Sequence, residues 1–251
     1  MSVIPLLYRN VKWRFHNAFT IVIIILQPML WLVLYSLIAG QTMKEAGIEN
    51  YTAFILPGLI ILVCLSSCSS GGIMNYLMKA DGSFYRVLIA PIRRSSIVLG
   101  QILESVLCSL LEAGIMIAAA CLFSVQIASG PAGILLIVLL VIITAFFMAG
   151  LTYAISLILP NEVIYETAMN AIVLPVFFLS TALFPAGSIS GILGMLIRLN
   201  PFTHVINVLR QLILEPVIPY QSIFRLFLLF TVMSLASFNW AHYRLLKQIK
   251  Q

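Results

Sequence analysis

Residues 134–159 read ILLIVLLVIITAFFMAGLTYAISLIL, an apolar run of 26 residues without one charged side chain. A bilayer hydrocarbon core about 30 Å thick takes roughly 20 residues of helix, so this run is long enough to cross it. The rest of the chain has the same character. Of its 251 residues, 62% are hydrophobic and 9% charged, and the mean hydropathy is +1.10. A soluble domain is about half apolar and about a quarter charged, so a water-soluble enzyme is excluded.

Working outward from 134–159, five more runs of comparable size appear, at 19–39, 53–74, 97–123, 167–184 and 222–240. Pro57 and Pro175 interrupt two of them. The first run is too long for a signal-peptide core and follows eighteen residues of its own, so it reads as a retained anchor. Six spans place both termini on one side of the membrane. Of the fourteen Lys and Arg, ten fall on that side: Arg9, Lys12 and Arg14; Lys79, Arg86, Arg93 and Arg94; Arg244, Lys247 and Lys250. Lys44, Arg198, Arg210 and Arg225 fall on the other. The positive-inside bias therefore puts both ends in the cytoplasm. The net charge of +6 reads as this orientation charge, not as nucleic-acid affinity.

Chemistry-bearing motifs are absent from the sequence. Cys64, Cys68, Cys108 and Cys121 lie in apolar stretches without Cys-x-x-Cys spacing and read as packing residues. His16, His204 and His242 are scattered, and no His-Glu-x-x-His or Gly-x-Ser-x-Gly segment occurs, so no metal or catalytic site is expected. There is no Gly-x-x-x-x-Gly-Lys-Ser/Thr phosphate cradle; the chain holds no cofactor and cannot use ATP alone.

Polar groups inside the spans narrow the search. In the third run Gln101, Glu104, Ser105, Cys108 and Glu112 share one arc of a helix, and such groups normally face other protein or a water-filled cavity. Gln101, Glu104 and Glu112 are the candidates for a substrate path or switch, with a buried packing contact as the other reading, favoured for Glu104. Ser66 to Gly72 form a run of small residues suited to close helix packing. Glu162, Glu166 and Asn170 recur on one helix face and read as solvated helix-start groups.

Two segments are expected to lie along the membrane. Residues 1–18 form an interfacial helix with Leu7, Val11, Phe15 and Ala18 on one side and Arg9, Lys12 and His16 on another; Trp13 and Arg14 blur the pattern. In 185–220, Val205, Ile206, Val208, Leu209, Leu212 and Ile213 form one arc after the Asn200-Pro201 break. The segment is too short to cross the bilayer twice, so it dips in from the outer face as a gate or as a plain amphipathic loop helix.

At two places the sequence resembles the ABC-2 type permease family, the membrane subunits of bacterial ABC exporters, especially the drug-export branch. DGSFYRVLIAPIRR at 81–94 is similar to the family's cytoplasmic segment between spans two and three. Leu183-Phe184-Pro185, then Leu199-Asn200-Pro201-Phe202-Thr203-His204 and Leu209-Arg210, are similar to its outer-face pattern after span five. Gln27-Pro28 and Leu56-Pro57-Gly58 extend the match over nearly the whole chain. Tyr85 stands where many members carry an acid, and His204 and Asn207 replace a commoner Tyr and Asp.

The resemblance implies a single all-α permease domain over 1–251, with six spans, an N-terminal interfacial helix at 1–18, a cytoplasmic coupling segment at 75–96 and re-entrant outer-face helices at 185–220. It implies a homodimer, or a pair with a related permease, joined to two ATPase subunits that bind ATP and Mg. Asp81, Gly82, Phe84, Tyr85, Arg86, Leu88 and Pro91 would form the ATPase-coupling surface. Phe184, Pro185, Asn200, Pro201, His204, Asn207 and Arg210 would form the outer-face gate. The setting is the bacterial cytoplasmic (inner) membrane, and the cargo an amphipathic or lipid-like compound in contact with membrane lipid. Export of a lipid-linked glycan, an ATP-independent intramembrane transferase and a noncatalytic scaffold remain the alternatives.

Overall fold

Without water, backbone N–H and C=O groups must pair within their own segment, and helix is the way a single apolar run does so. The computed structural model describes residues 3–15, 18–45, 50–123, 125–183 and 191–249, and every regular element among them is helical. In chain order these are α1 (Val3–Arg14), α2 (Ala18–Glu45), α3 (Tyr51–Ala80), α4 (Ser83–Ile89), α5 (Arg94–Leu122), α6 (Gly130–Ser156), α7 (Glu162–Phe178), α8 (Gly191–Leu199), α9 (Pro201–Leu214) and α10 (Tyr220–Ile249).

Each of the six apolar runs lies in or overlaps one of these helices. Among the described residues four are long and apolar enough to cross a membrane: α3, α5, α6 and α10. The pair α8 and α9, bent by 77° at Asn200, makes a fifth by length and composition if it is one span. The shorter apolar stretch of α2 is Leu26–Ile38, and α7 has 17 residues. The fifth run, expected at 167–184, is shifted toward the N-terminus. Asn161 starts α7 early by accepting the Ile164 N–H at 2.9 Å. At the other end the Asn200 amide donates to the Val176 and Leu179 carbonyls at 2.7 and 2.8 Å, satisfying groups that would otherwise continue the helix.

The core is built around α3, which packs against α2, α5, α6, α7 and α9. Lipid tails are as apolar as Leu, so helices associate in a bilayer where small residues let backbones approach. Gly71 of α3 faces Ser105 of α5, and Gly72 faces the Tyr165 phenol of α7. At Gly58 a Cβ would lie 2.7 Å from that of Ala182. These contacts bear out the packing role expected for the small-residue run. Gly150 lets α6 meet Ser237 of α10 in the same way, at 2.6 Å.

Candidate functional site

The polar arc of α5 is buried against α3 and α1. Glu104 is fully enclosed, and its carboxylate accepts from Arg14 Nη1 at 2.9 Å in an ion pair. Gln101 Nε2 and Ser105 Oγ donate to its other oxygen at 3.4 Å, and Cys108 Sγ donates at 3.5 Å. The second Arg14 amino group donates to Ser70 Oγ. Gln101 also donates to the Gly71 carbonyl at 3.2 Å and accepts from the Asn10 amide at 3.3 Å. Burial pushes the Arg14 guanidinium down, but the adjoining Glu104 carboxylate outweighs it and leaves the group above its ordinary value. Gln101 and Glu104 thus sit in a satisfied packing seam, the reading favoured for Glu104 on sequence grounds. Glu112, two turns further on, is buried with no ion-pair partner among the described residues.

In α1 the side chains buried in this seam are Leu6 and Asn10, with Arg14 next in line at 10% exposed. Leu7, Val11 and Phe15 are half-buried, and Ile4 and Tyr8 are exposed. An apolar ridge can be left to lipid, whereas a buried carboxylate needs a cation. Ala18 and His16, named with that pattern, have side chains outside the described residues. Sequence reading missed Arg14 and Asn10. The signal was available: an acid inside an apolar run requires a partner, and Arg14 lies shortly before the first apolar run.

The coupling segment folds as a turn and the short helix α4. Gly82 takes the left-handed conformation at φ 74°, which a residue with a Cβ rarely adopts. Asp81 Oδ1 accepts the Ser83 N–H at 2.8 Å, and that backbone donor holds its carboxyl below the ordinary value. Phe84 is 4% exposed and packs inward beneath the Lys79 ammonium, 5.2 Å from its ring centroid. Leu88 is half-buried, and its carbonyl accepts from Arg94 at 2.5 Å. Tyr85, Arg86 and Pro91 are exposed. Ile89, not singled out from sequence, is 85% exposed.

On the other side of the bundle, Arg210 of α9 donates Nε to the Phe54 carbonyl at 3.1 Å and Nη2 to those of Thr181 and Ala182 at 2.6 and 3.4 Å. Its guanidinium lies 3.9 Å over the Phe54 ring. Asn207 accepts from Thr181 Oγ1 at 2.7 Å and from Arg210 at 3.4 Å. Asn200 caps α9 through the Phe202 N–H at 3.0 Å, Pro201 starts that helix, and His204 is exposed with its Nε2 2.9 Å from the Arg198 carbonyl. Asn200, Asn207 and Arg210 are thereby brought together as a clamp joining α9 to the end of α7 and the start of α3. Phe184 and Pro185 lie outside the described residues. Beside the clamp, Leu65, Phe147, Leu151, Val173, Phe202 and Met233 are among the apolar side chains lining a cleft of about 120 Å³.

The family model described as "ABC-2 type transporter" matches residues 2–214, from α1 through the end of α9. The chain belongs to this family. This ABC-2 chain is 28% identical over 203 residues to a putative transport permease ycf38 of Porphyra purpurea, covering 80% of this chain and 69% of the relative. It is 24% identical over 196 residues to nodulation protein J of Rhizobium leguminosarum bv. trifolii, covering 76% and 73%. Membership agrees with a multi-pass transport permease, and in this ABC-2 chain the α1–α5 seam, α4 and the α9 clamp all fall inside the matched region.

Proposed function

We propose that the chain is the permease subunit of an ATP-driven exporter that moves an amphipathic or lipid-like compound outward across a bacterial cytoplasmic membrane. Six spans, with α2 and α7 added to α3, α5, α6 and α10, leave both termini in the cytoplasm. Two copies pair with two ATPase subunits, which hold ATP and Mg. Nucleotide-driven closure of those subunits acts on α4 and shifts the bundle between two arrangements, as a partner can only when its affinity differs between them.

The observation that carries this reading is the division of labour in α4 and the residues just after it: Phe84 anchors the helix to its own chain, while Tyr85, Arg86, Ile89 and, beyond its end, Pro91 are left uncovered. An apolar and basic surface of that kind suits a soluble partner docked under the membrane. The apolar cleft supports a lipophilic cargo. Glu112 belongs to the switch or path in this reading, and Phe184, Pro185, Asn200, Pro201, His204, Asn207 and Arg210 to the outer gate.

The test is copurification from native membranes followed by ATP turnover in phospholipid vesicles. An ATPase subunit should accompany the wild-type chain and be lost from a Tyr85→Ala/Ile89→Ala variant of equal abundance. Cargo movement by the chain alone, without nucleotide, would sink the reading.

A further inference from the structure

Half-way along the bundle, where the α8–α9 bend meets α7 and α10, lies the apolar cleft. We infer that this cleft is a binding site for the end of a membrane phospholipid's acyl chain. Its depth points that way. Leu65 and Met233, which both line it, are the fifteenth and fourteenth of the 30 residues of α3 and α10. Both helices are long and apolar enough to cross a membrane, so the cleft lies near the bilayer midplane, about 15 Å from either headgroup layer. Pro201 and Phe202 line it too, which carries the 77° bend to that depth. Only the far end of a long chain reaches the midplane while its polar head stays at the surface.

The lining selects hydrocarbon. Among the described residues it consists of aliphatic, aromatic and thioether side chains, with no group to bond water. A site of about 120 Å³ is roomy enough for water, but water needs two to four polar partners, and an apolar cavity of comparable size, about 150 Å³, stays dry and binds small hydrocarbons. Leu65, Met148, Val173 and Phe202 are buried at its floor, Met233 is half-buried, and Ile172 at the rim is 39% exposed. The cleft is therefore open at its side, and the exposed Leu174 and Val232 carry apolar surface up to its mouth. Around a membrane-spanning bundle that surface faces lipid. Phe230 stands edge-on to both Phe147 and Phe202, with centroids 5.9 Å apart, and stiffens one wall, while Met148 and Met233 adapt to a flexible chain.

A chain seated here touches α7, the start of α9 and α10 together. It packs behind the break that Asn200 makes by taking the Val176 carbonyl, and steadies the bend through dispersion contacts alone. A lipophilic cargo that uses the cleft has to displace it. The site itself needs neither ATPase nor nucleotide, so it goes beyond the exporter reading and does not rest on it.

The full chain is reconstituted in phosphatidylethanolamine–phosphatidylglycerol vesicles holding a trace of phosphatidylcholine with a diazirine at the end of one acyl chain or, in a parallel sample, next to its ester. After photolysis, peptide mass spectrometry should find the chain-end label on Met148, Phe202 or Met233 at least about fivefold above the ester-proximal label. Ile172→Trp blocks the mouth from an exposed position and leaves the floor intact, so the chain still folds; cleft labelling should fall about fivefold while Val232, exposed beside the mouth, keeps its own. Leu151→Phe, which fills the cleft from α6, should act in the same way. In detergent, added phosphatidylglycerol should raise the wild-type Tm by about 3 °C and that of Ile172→Trp by less than half as much.

Equal labelling of the cleft and of Val232, unmoved by either variant, would reduce the site to ordinary boundary lipid and overturn it. Disulfide formation between two copies of Ile172→Cys in a Cys121→Ser background, in place of lipid labelling, would give the mouth to a second permease chain. Labelling that appears only with an ATPase and ATP present would give it to passing cargo. Either result overturns the lipid site. Failure of any ATPase to assemble with the chain would count against the exporter reading and leave the lipid site standing, whereas loss of cleft labelling does the reverse.

Discussion

The two ends of the bundle are each held by an arginine, and they are held differently. At the α1–α5 seam Arg14 meets a carboxylate, Glu104, that has no exposed surface. At the α9 clamp Arg210 meets no carboxylate among the described residues; it is seated on the Phe54, Thr181 and Ala182 carbonyls and the Phe54 ring. The seam depends on two side chains that must both be present. In the clamp the arginine rests chiefly on backbone groups that no substitution removes. A charge pair specifies which helices are joined, whereas carbonyl seating fastens whatever chain ends lie within reach. The seam therefore joins two particular helices, and the clamp closes several chain ends together.

The contrast breaks most sharply through a double-mutant cycle at the seam. Arg14→Gln alone leaves Glu104 buried without its cation and should cost roughly 3 to 5 kcal/mol, whereas Arg14→Gln/Glu104→Gln should cost about 1 kcal/mol. Thermal unfolding in detergent reads both values. Equal losses in the single and the double variant would remove the distinction between seam and clamp.

Arg210→Ala should cost about 3 kcal/mol, because several carbonyls lose a charged donor together. Arg210→Lys should recover only part of that, since an ammonium cannot span the same fork of acceptors. Full recovery would mean that charge, not seating, holds the clamp.

Gly72→Ala comes next, at about 2 kcal/mol, because the added methyl displaces the Tyr165 phenol, which donates to the Ser69 carbonyl at 2.8 Å. Gly114→Ala serves as its control, since nothing lies within 4 Å of the added atom. A helical glycine in open space should gain a few tenths of a kcal/mol on becoming alanine.

The smallest effect is at the Asp81 turn. Its carboxyl is held below the ordinary value, chiefly by the Ser83 N–H, so the contribution of this contact is complete above about pH 4 and lost as pH falls through the lowered value in the folded chain. Protection of the Ser83 amide from hydrogen exchange should weaken only at the acid end, and Asp81→Asn should abolish that pH dependence. Loss of protection near neutrality would show that another group titrates.

The helices were legible because an apolar run about 20 residues long has few other ways to pair its backbone. Their ends were less so: α7 stops at Phe178 because Asn200, 22 residues later, takes its last carbonyls, and such distant capture leaves no mark on local periodicity. Of the candidate residues, the arc from Gln101 to Glu112 was read as turned to other protein or to a water-filled cavity, and its five polar side chains are buried. The coupling segment was read as one surface, yet Phe84 faces its own chain and Ile89 faces outward. A short helix rich in apolar residues on every side gives no period by which to tell the anchored face from the free one.

What the chain's order of residues determined by itself is its all-helical, membrane-spanning character, its family, and its lack of a nucleotide-binding motif. What only the tertiary structure decided is which faces meet: Leu6, Asn10 and Arg14 set against α5, and Arg210 drawn onto carbonyls. Hydrophobic pattern reports what avoids water, but in a bilayer lipid accepts an apolar face as readily as protein does. The choice of inner face then passes to polar and small residues, whose partners are far away in sequence and near only in space.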